Sequence, residues 1–306
     1  TGLFEDLRET YFRYYGTPFR LANDKLNAER RARLDRAGSV WQPPLFEARP
    51  RYESAGHTIA ESCKAAEADP DLAAFISLGM FKNIPSLYWH QEKALEAALR
   101  GDDVAAIPGT GSGKTESLFL PVIARLLKES RNWKPTTAAS TDWWTNAGDP
   151  FVPLRHAETG RERAIRAFVL YPMNALADDQ LIRLRKSLDS NGIHQWLDGN
   201  RNGHRFYFGR YTGTTPVLGD PSNNLAVNTL RDYMRDTERL YRAALRESEQ
   251  KSFFVPRPLG AEMISRWDIL ADPPDVLITN YSMLHVMLMR DHEQTLFERT
   301  AAWLRQ

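Results

Sequence analysis

One stretch limits what this chain can fold into more than any other: Val104-Ala105-Ala106-Ile107-Pro108-Gly109-Thr110-Gly111-Ser112-Gly113-Lys114-Thr115. The apolar run 104–107 reads as a buried strand and the glycine-rich run as a turn. Lys114 and Thr115 then open an amphipathic segment reaching about residue 128. Strand, glycine-rich turn and helix start are what a phosphate-binding loop requires. Glycines let the backbone wrap closely, so that successive N–H groups point at one anion. The helix N-terminus adds its unpaired donors and the positive end of its dipole. Lys114 then reaches the β- and γ-phosphates, and the Thr115 hydroxyl is placed to ligate Mg²⁺. One departure is Pro108, which stands where the general pattern has its first glycine. Gly109, Thr110, Gly111, Ser112, Gly113, Lys114 and Thr115 are therefore the candidate nucleotide-binding residues, with Lys114 and Thr115 catalytic.

The rest of the composition narrows the class. Lys plus Arg number 40 against 39 for Asp plus Glu, a formal net charge of +1, so any nucleic-acid contact must come from a local surface. Cys63 is the only cysteine, which excludes an internal disulfide and fits a reducing cytoplasm. The histidines show no His-x-x-x-His spacing for zinc, and no apolar run reaches the length of a membrane span. The chain starts and stops within charged, helix-like sequence and reads as a piece of a longer protein.

Residues 1–85 carry no catalytic motif and read as an α-helical accessory region, helical over 3–15, 23–37 and 59–81. Arg30, Arg31, Arg33 and Arg36 would touch phosphates or, as the better account, pair with Glu29 and Asp35 on a solvated face. A helix over 92–99 then leads through Gly101-Asp102-Asp103 into the glycine-rich loop. Just before it stands Gln91, whose amide both donates and accepts and so suits the N6 and N7 edge of adenine. Residues 130–166 read as an irregular insertion whose Trp143 and Trp144 pack onto their own domain rather than onto bases.

Three further apolar strands are expected at 167–171, 205–211 and 275–278, separated by helical material that includes a long salt-bridged helix over 225–249. With the run at 104–107 they make an α/β domain with a mostly parallel sheet. Ligands of such sheets bind beyond the carboxyl ends of the strands. The glycine-rich loop, Pro172 to Leu176, Thr212 to Thr215 and Thr279-Asn280 all follow strands directly, so they should line one edge.

The order of these clusters resembles superfamily 2 helicases of the DEAD/DEAH-box-like kind, over residues 86–290. His90-Gln91 resembles the adenine-reading motif, and Pro108 to Thr115 motif I. Tyr171-Pro172-Met173-Asn174-Ala175-Leu176-Ala177-Asp178-Asp179-Gln180 resembles motif Ia, with Asn174 a slight departure. Thr212-Gly213 and Thr279-Asn280 resemble the next two strand-end motifs. Details such as Arg266-Trp267 before Pro273-Pro274-Asp275 resemble large bacterial anti-phage helicases of the DISARM and Druantia kind.

The resemblance implies a P-loop RecA-like domain over 86–306, incomplete at its C-terminal end, with ATP and Mg²⁺ as cofactors. It implies that Pro172, Asn174, Ala175, Gln180, Thr212, Gly213, Thr279 and Asn280 hold a nucleic-acid strand, single-stranded DNA above all. The implied partners are a second RecA-like domain of the same longer chain and other defence-system proteins. The family's Asp-Glu-x-His or Asp-Glu-x-Asp motif occurs nowhere in these residues, so they should not hydrolyse ATP alone. That motif is expected on a strand within roughly 10 to 25 residues past Gln306. Two other functions remain open at this point: a P-loop ATPase that remodels protein complexes, and a non-catalytic scaffold built on a helicase-like fold. Motif Ia and Thr279-Asn280 weigh against the first, and the intact Gly113-Lys114-Thr115 against the second.

Overall fold

Short apolar runs do become the strands of a parallel sheet, with helices supplying every crossover. The structure is a computed structural model that describes residues 2–45, 51–109, 111–136, 141–172 and 174–306, without the side chains of 174–177. The chain divides into two compact units, Thr1–Arg51 and Tyr52–Gln306.

In the first unit, α1 (Leu3–Gly16) and α2 (Asp24–Leu34) are ordinary capped helices, the second closed by the Asn23 side chain accepting from Lys25 and Leu26 N–H groups. The α2 arginines are engaged within the unit. Arg33 meets Glu29 at 2.7 Å, Arg31 meets Glu9 at 2.5 Å, and Arg30 donates to the Phe19 carbonyl.

The second unit runs α3 (Ile59–Ala65), α4 (Leu72–Leu78), α5 (Trp89–Arg100), α6 (Lys114–Ser130), β1 (Ala167–Tyr171), α7 (Asn174–Leu188) and α8 (Asn191–Asn200). It continues with β2 (Phe208–Tyr211), α9 (Asn224–Glu247), α10 (Glu249–Ser252), β3 (Glu262–Met263) and α11 (Arg266–Ala271). Last come β4 (Val276–Asn280), α12 (Tyr281–Met289) and α13 (Asp291–Leu304). The strand order is β1-β4-β2-β3, with every pairing parallel.

β4 is central, and its side chains alternate between two cores. Val276 and Ile278 join Leu72, Phe75, Leu120 and Phe208 on one face; Leu277 joins Tyr211, Met263 and Met287 on the other. β1 buries its Ala167, Val169 and Tyr171 side against the first core, while Phe168 and Leu170 stay 39% and 46% exposed. A third cluster unites the two insertions: Trp143 and Trp144 pack with Val227, Leu230 and Met234 of α9 and with Trp267. The long charged helix is thus solvated on one side only, and the tryptophans are core residues.

One expected strand is not formed. Residues 104–107 lie outside the sheet, with Val104 and Ala106 half-buried and Ile107 89% exposed. A parallel strand takes its hydrogen bonds from neighbours, and none of the four described strands pairs with this run. In its place the sheet has β3, a two-residue strand beside β2 that carries no apolar run of its own. The strand expected over 205–211 begins only at Phe208, although the Tyr207 carbonyl already accepts from the Asp275 and Val276 N–H groups at the start of β4.

Candidate nucleotide and strand site

Sequence chemistry builds the loop at the start of α6. Gly111 and Gly113 sit at φ +77° and +76°, the left-handed region that favours glycine. A Cβ on Gly113 would lie 2.4 Å from the Gln91 amide nitrogen, so only glycine fits there. The Ser112 side chain is fully buried, and its hydroxyl has no hydrogen-bond partner among the described residues. Lys114 is exposed and makes no ion pair among the described residues, and the half-buried Thr115 follows it on the first turn. An orphaned hydroxyl, an uncompensated ammonium and an open helix N-terminus are together what a polyphosphate fits. Thr110 lies outside the described residues.

The start of α5 holds this loop from behind. The Gln91 amide accepts from the Tyr88 N–H at 3.0 Å and donates to the Gly113 carbonyl at 3.2 Å. Next to it, the His90 imidazole Nε2 lies 2.9 Å from the Ser112 carbonyl oxygen. Tyr88 stacks on His90 at 5.6 Å and 16°, and Tyr52 meets both rings edge-on. A Cβ on Gly109 would touch the Tyr52 hydroxyl at 2.8 Å. Tyr52 had no sequence signal, since it lies far upstream in a motif-free segment. Tyr88 had one, its adjacency to His90-Gln91.

The strand-end clusters sit side by side. In register, Tyr171 faces Asn280 and Tyr211 faces Thr279, so the carboxyl ends of β1, β4 and β2 form one continuous edge. The Thr279 hydroxyl is buried and donates to the Tyr211 carbonyl at 2.6 Å. Asn280 caps α12 by accepting from the Met283 N–H at 2.7 Å. Thr212 is buried; its N–H donates to the Thr215 hydroxyl at 2.9 Å and its carbonyl accepts from Arg266 at 2.6 Å. Gly213 is exposed with nothing within 4 Å of where a Cβ would stand. Pro172 is exposed; Asn174 and Ala175 begin α7, their side chains outside the description. Gln180 points inward, 5% exposed, its Nε2 on Asp179 at 3.2 Å.

The loop and this edge are linked through α7. Glu116, on the first turn of α6, pairs with Arg183 at 2.5 Å, and Arg183 also meets Asp179 at 3.0 Å. Desolvation opposes the Arg183 charge, but hydrogen bonding to Asp179 and the Glu116 charge outweigh it and raise its pKa. Among the described residues no group of three or more His, Cys, Asp or Glu is placed to hold a metal ion, and no helix is long and apolar enough to cross a membrane.

Comparison with known proteins agrees with this geometry. Residues 88–207 match the DEAD/DEAH box helicase family, a stretch that holds the α5 tether, the glycine-rich loop and β1 with its following turn. The chain is 30% identical to the Druantia protein DruE of Escherichia coli over 345 aligned residues, covering 98% of this chain and 17% of that protein. It is 27% identical to the mitochondrial ATP-dependent RNA helicase mss116 of Aspergillus fumigatus, over 41% of this chain and 16% of that protein. With the ATP-dependent RNA helicase DBP9 of Ajellomyces capsulatus it shares 37% identity, over 26% of this chain and 12% of the relative. The chain therefore spans less than a fifth of the length of each of these curated relatives. No solved structure matches. Residues 88–207 are thus similar to the DEAD/DEAH box helicases, and the parallel sheet agrees with that likeness.

Proposed function

We propose that this chain is the ATP-binding part of an ATP-dependent helicase or translocase that moves on DNA and acts in anti-phage defence. The observation that carries the reading is the continuous edge formed by three strand ends, tied through the Glu116–Arg183 pair to a loop where, among the described residues, the Ser112 hydroxyl has no partner and Lys114 no ion pair. The defence setting rests on the likeness to the Druantia protein along nearly all of this chain. A protein-remodelling ATPase would need the loop but not the edge.

In this reading Lys114 neutralises the β- and γ-phosphates, and the N–H groups of residues 109–115 cradle them. Bound ATP with Mg²⁺ supplies the phosphoryl group whose hydrolysis drives the cycle, and Thr115 is the protein's ligand to that ion. Gln91 reads the base: each of its two amide atoms has one bond to backbone and keeps one more to give, an N–H and a lone pair. Gly213 and the exposed turn at Pro172 bring backbone close to a passing strand, while Thr212, Thr279 and Asn280 fix the loops that do so. Contacts from backbone and small polar groups grip phosphates without reading sequence, as a motor requires. Residues 86–306 would be its first RecA-like unit, working against a second in the same longer chain.

The test is ATP turnover by the whole protein with and without single-stranded DNA, single-stranded RNA and duplex. Stimulation by single-stranded DNA irrespective of sequence is the expected result. Turnover indifferent to every nucleic acid would replace the motor with the remodelling ATPase.

A further inference from the structure

Besides the strand-end edge, the domain carries a second surface, rich in arginine. On α9, Arg235, Arg239, Arg242 and Arg246 follow one another at spacings of four, three and four residues. At about 100° per residue these side chains fall within an arc of roughly 60°, along about 16 Å of helix. They line a groove of about 460 Å³ together with Thr145 and Glu238.

Three of the four arginines have an acidic neighbour on α9, but the pairs of Arg235 and Arg239 are solvent-exposed and weak. Glu238 is the single carboxylate in the groove, and it is committed: it accepts from the Trp144 indole at 2.9 Å and pairs with Arg242. Asp236 reaches Arg239 at 3.0 Å, but it lies outside the groove and both side chains are more than 60% exposed, so the pair is worth little. Arg246 has no ion pair among the described residues. Arg235 donates to the Trp144 and Thr145 carbonyls at 2.7 and 3.0 Å, which fixes its guanidinium, and it meets the largely exposed Asp232 only at 3.8 Å, a weak pair. A merely solvated helix face needs no such orientation.

The first half of the helix is packed: Val227, Leu230 and Met234 bury against Trp143 and Trp267, and the arginines follow on the next turns. α9 is also the next element after β2, separated from the Thr212 to Thr215 turn by residues 216–223. Four guanidinium groups in a row match one repeating anion, the phosphate backbone of a nucleic acid, better than any single acidic group.

We propose that the α9 groove is an auxiliary binding surface for the phosphate backbone of the nucleic acid on which the protein acts. The surface grips without reading sequence and adds to the grip of the strand-end edge. This rests on the nucleic-acid motor reading above.

The test substitutes Arg239→Gln, Arg242→Gln and Arg246→Gln together in the whole protein, leaving Arg235 in place because it holds the Trp144 loop. Side-chain exposure of 76% at Arg239 and 68% at Arg242 makes these changes harmless to folding, which an unchanged melting temperature checks. Anisotropy titrations with labelled single strand and labelled duplex should show affinity lowered at least about tenfold for every sequence. The log–log salt slope should become shallower by about 2 for the single strand, three contacts at about 0.7 each. Unchanged affinity and slope in the triple variant, with the wild type binding normally and its ATP turnover stimulated by nucleic acid, would overturn the auxiliary surface and leave the motor standing. A wild type that binds neither single strand nor duplex would overturn both. Capture of an acidic peptide at the groove with unchanged nucleic-acid affinity would likewise overturn the proposal.

Discussion

The two ends of the parallel sheet are built from opposite materials. At the amino end the residues leading into the strands form a buried ion network. Asp275, just before β4, receives Arg161 at 2.6 Å, Arg166 at 3.0 Å and the Tyr207 N–H at 2.8 Å. Glu158 receives Arg155 and Arg161, each at 2.7 Å, and stands 3.2 Å from His204. Arg161 also lies over the Trp133 ring at 3.8 Å. Arg155, Arg161 and Asp275 are fully buried, and nearly every charge has a partner of opposite sign. At the carboxyl end stand Gly213, the Thr212 and Thr279 hydroxyls and the N-terminus of α12, and tied to α7 by Glu116–Arg183 is the glycine-rich loop, where among the described residues Ser112 has no hydrogen-bond partner and Lys114 no ion pair. One end is satisfied and the other waits for something to satisfy it. On the proposed function, stability and nucleotide or strand binding are separated across one sheet, and substitutions at the two ends should fail differently.

The largest expected effect is at the satisfied end. Asp275→Asn takes one of two carboxylates from each of the buried Arg161 and Arg166, which keep Glu158 and Glu129, and should cost about 3 kcal/mol in urea unfolding. Under mild conditions the protein that remains folded should still bind ATP. Lost nucleotide binding in that folded fraction would break the separation.

Gly113→Ala comes next, at the open end. A left-handed φ and a Cβ at 2.4 Å from the Gln91 amide should cost about 1–2 kcal/mol of strain and weaken nucleotide binding beyond what the lost stability explains. An alanine variant with wild-type ATP affinity would show that the Gln91 tether is dispensable.

Acid should act on the satisfied end first. Burial alone would raise the Glu158 carboxyl, but Arg161, the His204 hydrogen bond and Arg155 overcome it and hold the group well below its ordinary 4.5. A carboxyl depressed in the folded state contributes stability that is complete above the unfolded value and is lost as pH falls through the folded one. Stability should therefore fall steadily below pH 4.5, and more gently in Glu158→Gln, in urea titrations across that range. Equal acid slopes in the two proteins would remove Glu158 from the account. The same burial and the Glu158 charge push the Tyr207 phenol up to about 12, so the network gains no second titration near neutral pH from that ring.

The smallest effect separates support from contact at the strand ends. Thr279→Val removes only the hydroxyl donated to the Tyr211 carbonyl, and should cost about 1 kcal/mol in thermal unfolding. If single-strand affinity falls much further than that, Thr279 touches the strand itself.

Local chemistry made the open end legible in the sequence. Gly111, Gly113 and Lys114 follow one another, and Thr212, Thr279 and Asn280 each sit just after an apolar run, so their placement needed only the rule for parallel sheets. The satisfied end was not legible. Arg155, Arg161 and Asp275 are distant in sequence, and nothing about an isolated arginine announces a buried partner more than a hundred residues away. The 104–107 run shows the limit of periodicity, which reports apolar character but not whether a neighbouring strand exists to pair with. Trp143 and Trp144 were placed correctly in a core, though their partner, the buried stripe of α9, was hidden under its alternating charges. Tyr52 became visible only when folding brought it beside Gly109.

The central claim is that the open end holds a nucleoside triphosphate, and Lys114→Ala tests it most directly. In the whole protein this change removes the one ammonium on the loop and touches no buried contact, so the melting temperature should stay at the wild-type value. ATP turnover in the presence of single-stranded DNA should fall at least about a hundredfold, the scale of losing a key charge-stabilising donor. A well-folded Lys114→Ala protein that turns over ATP at near the wild-type rate would contradict the account.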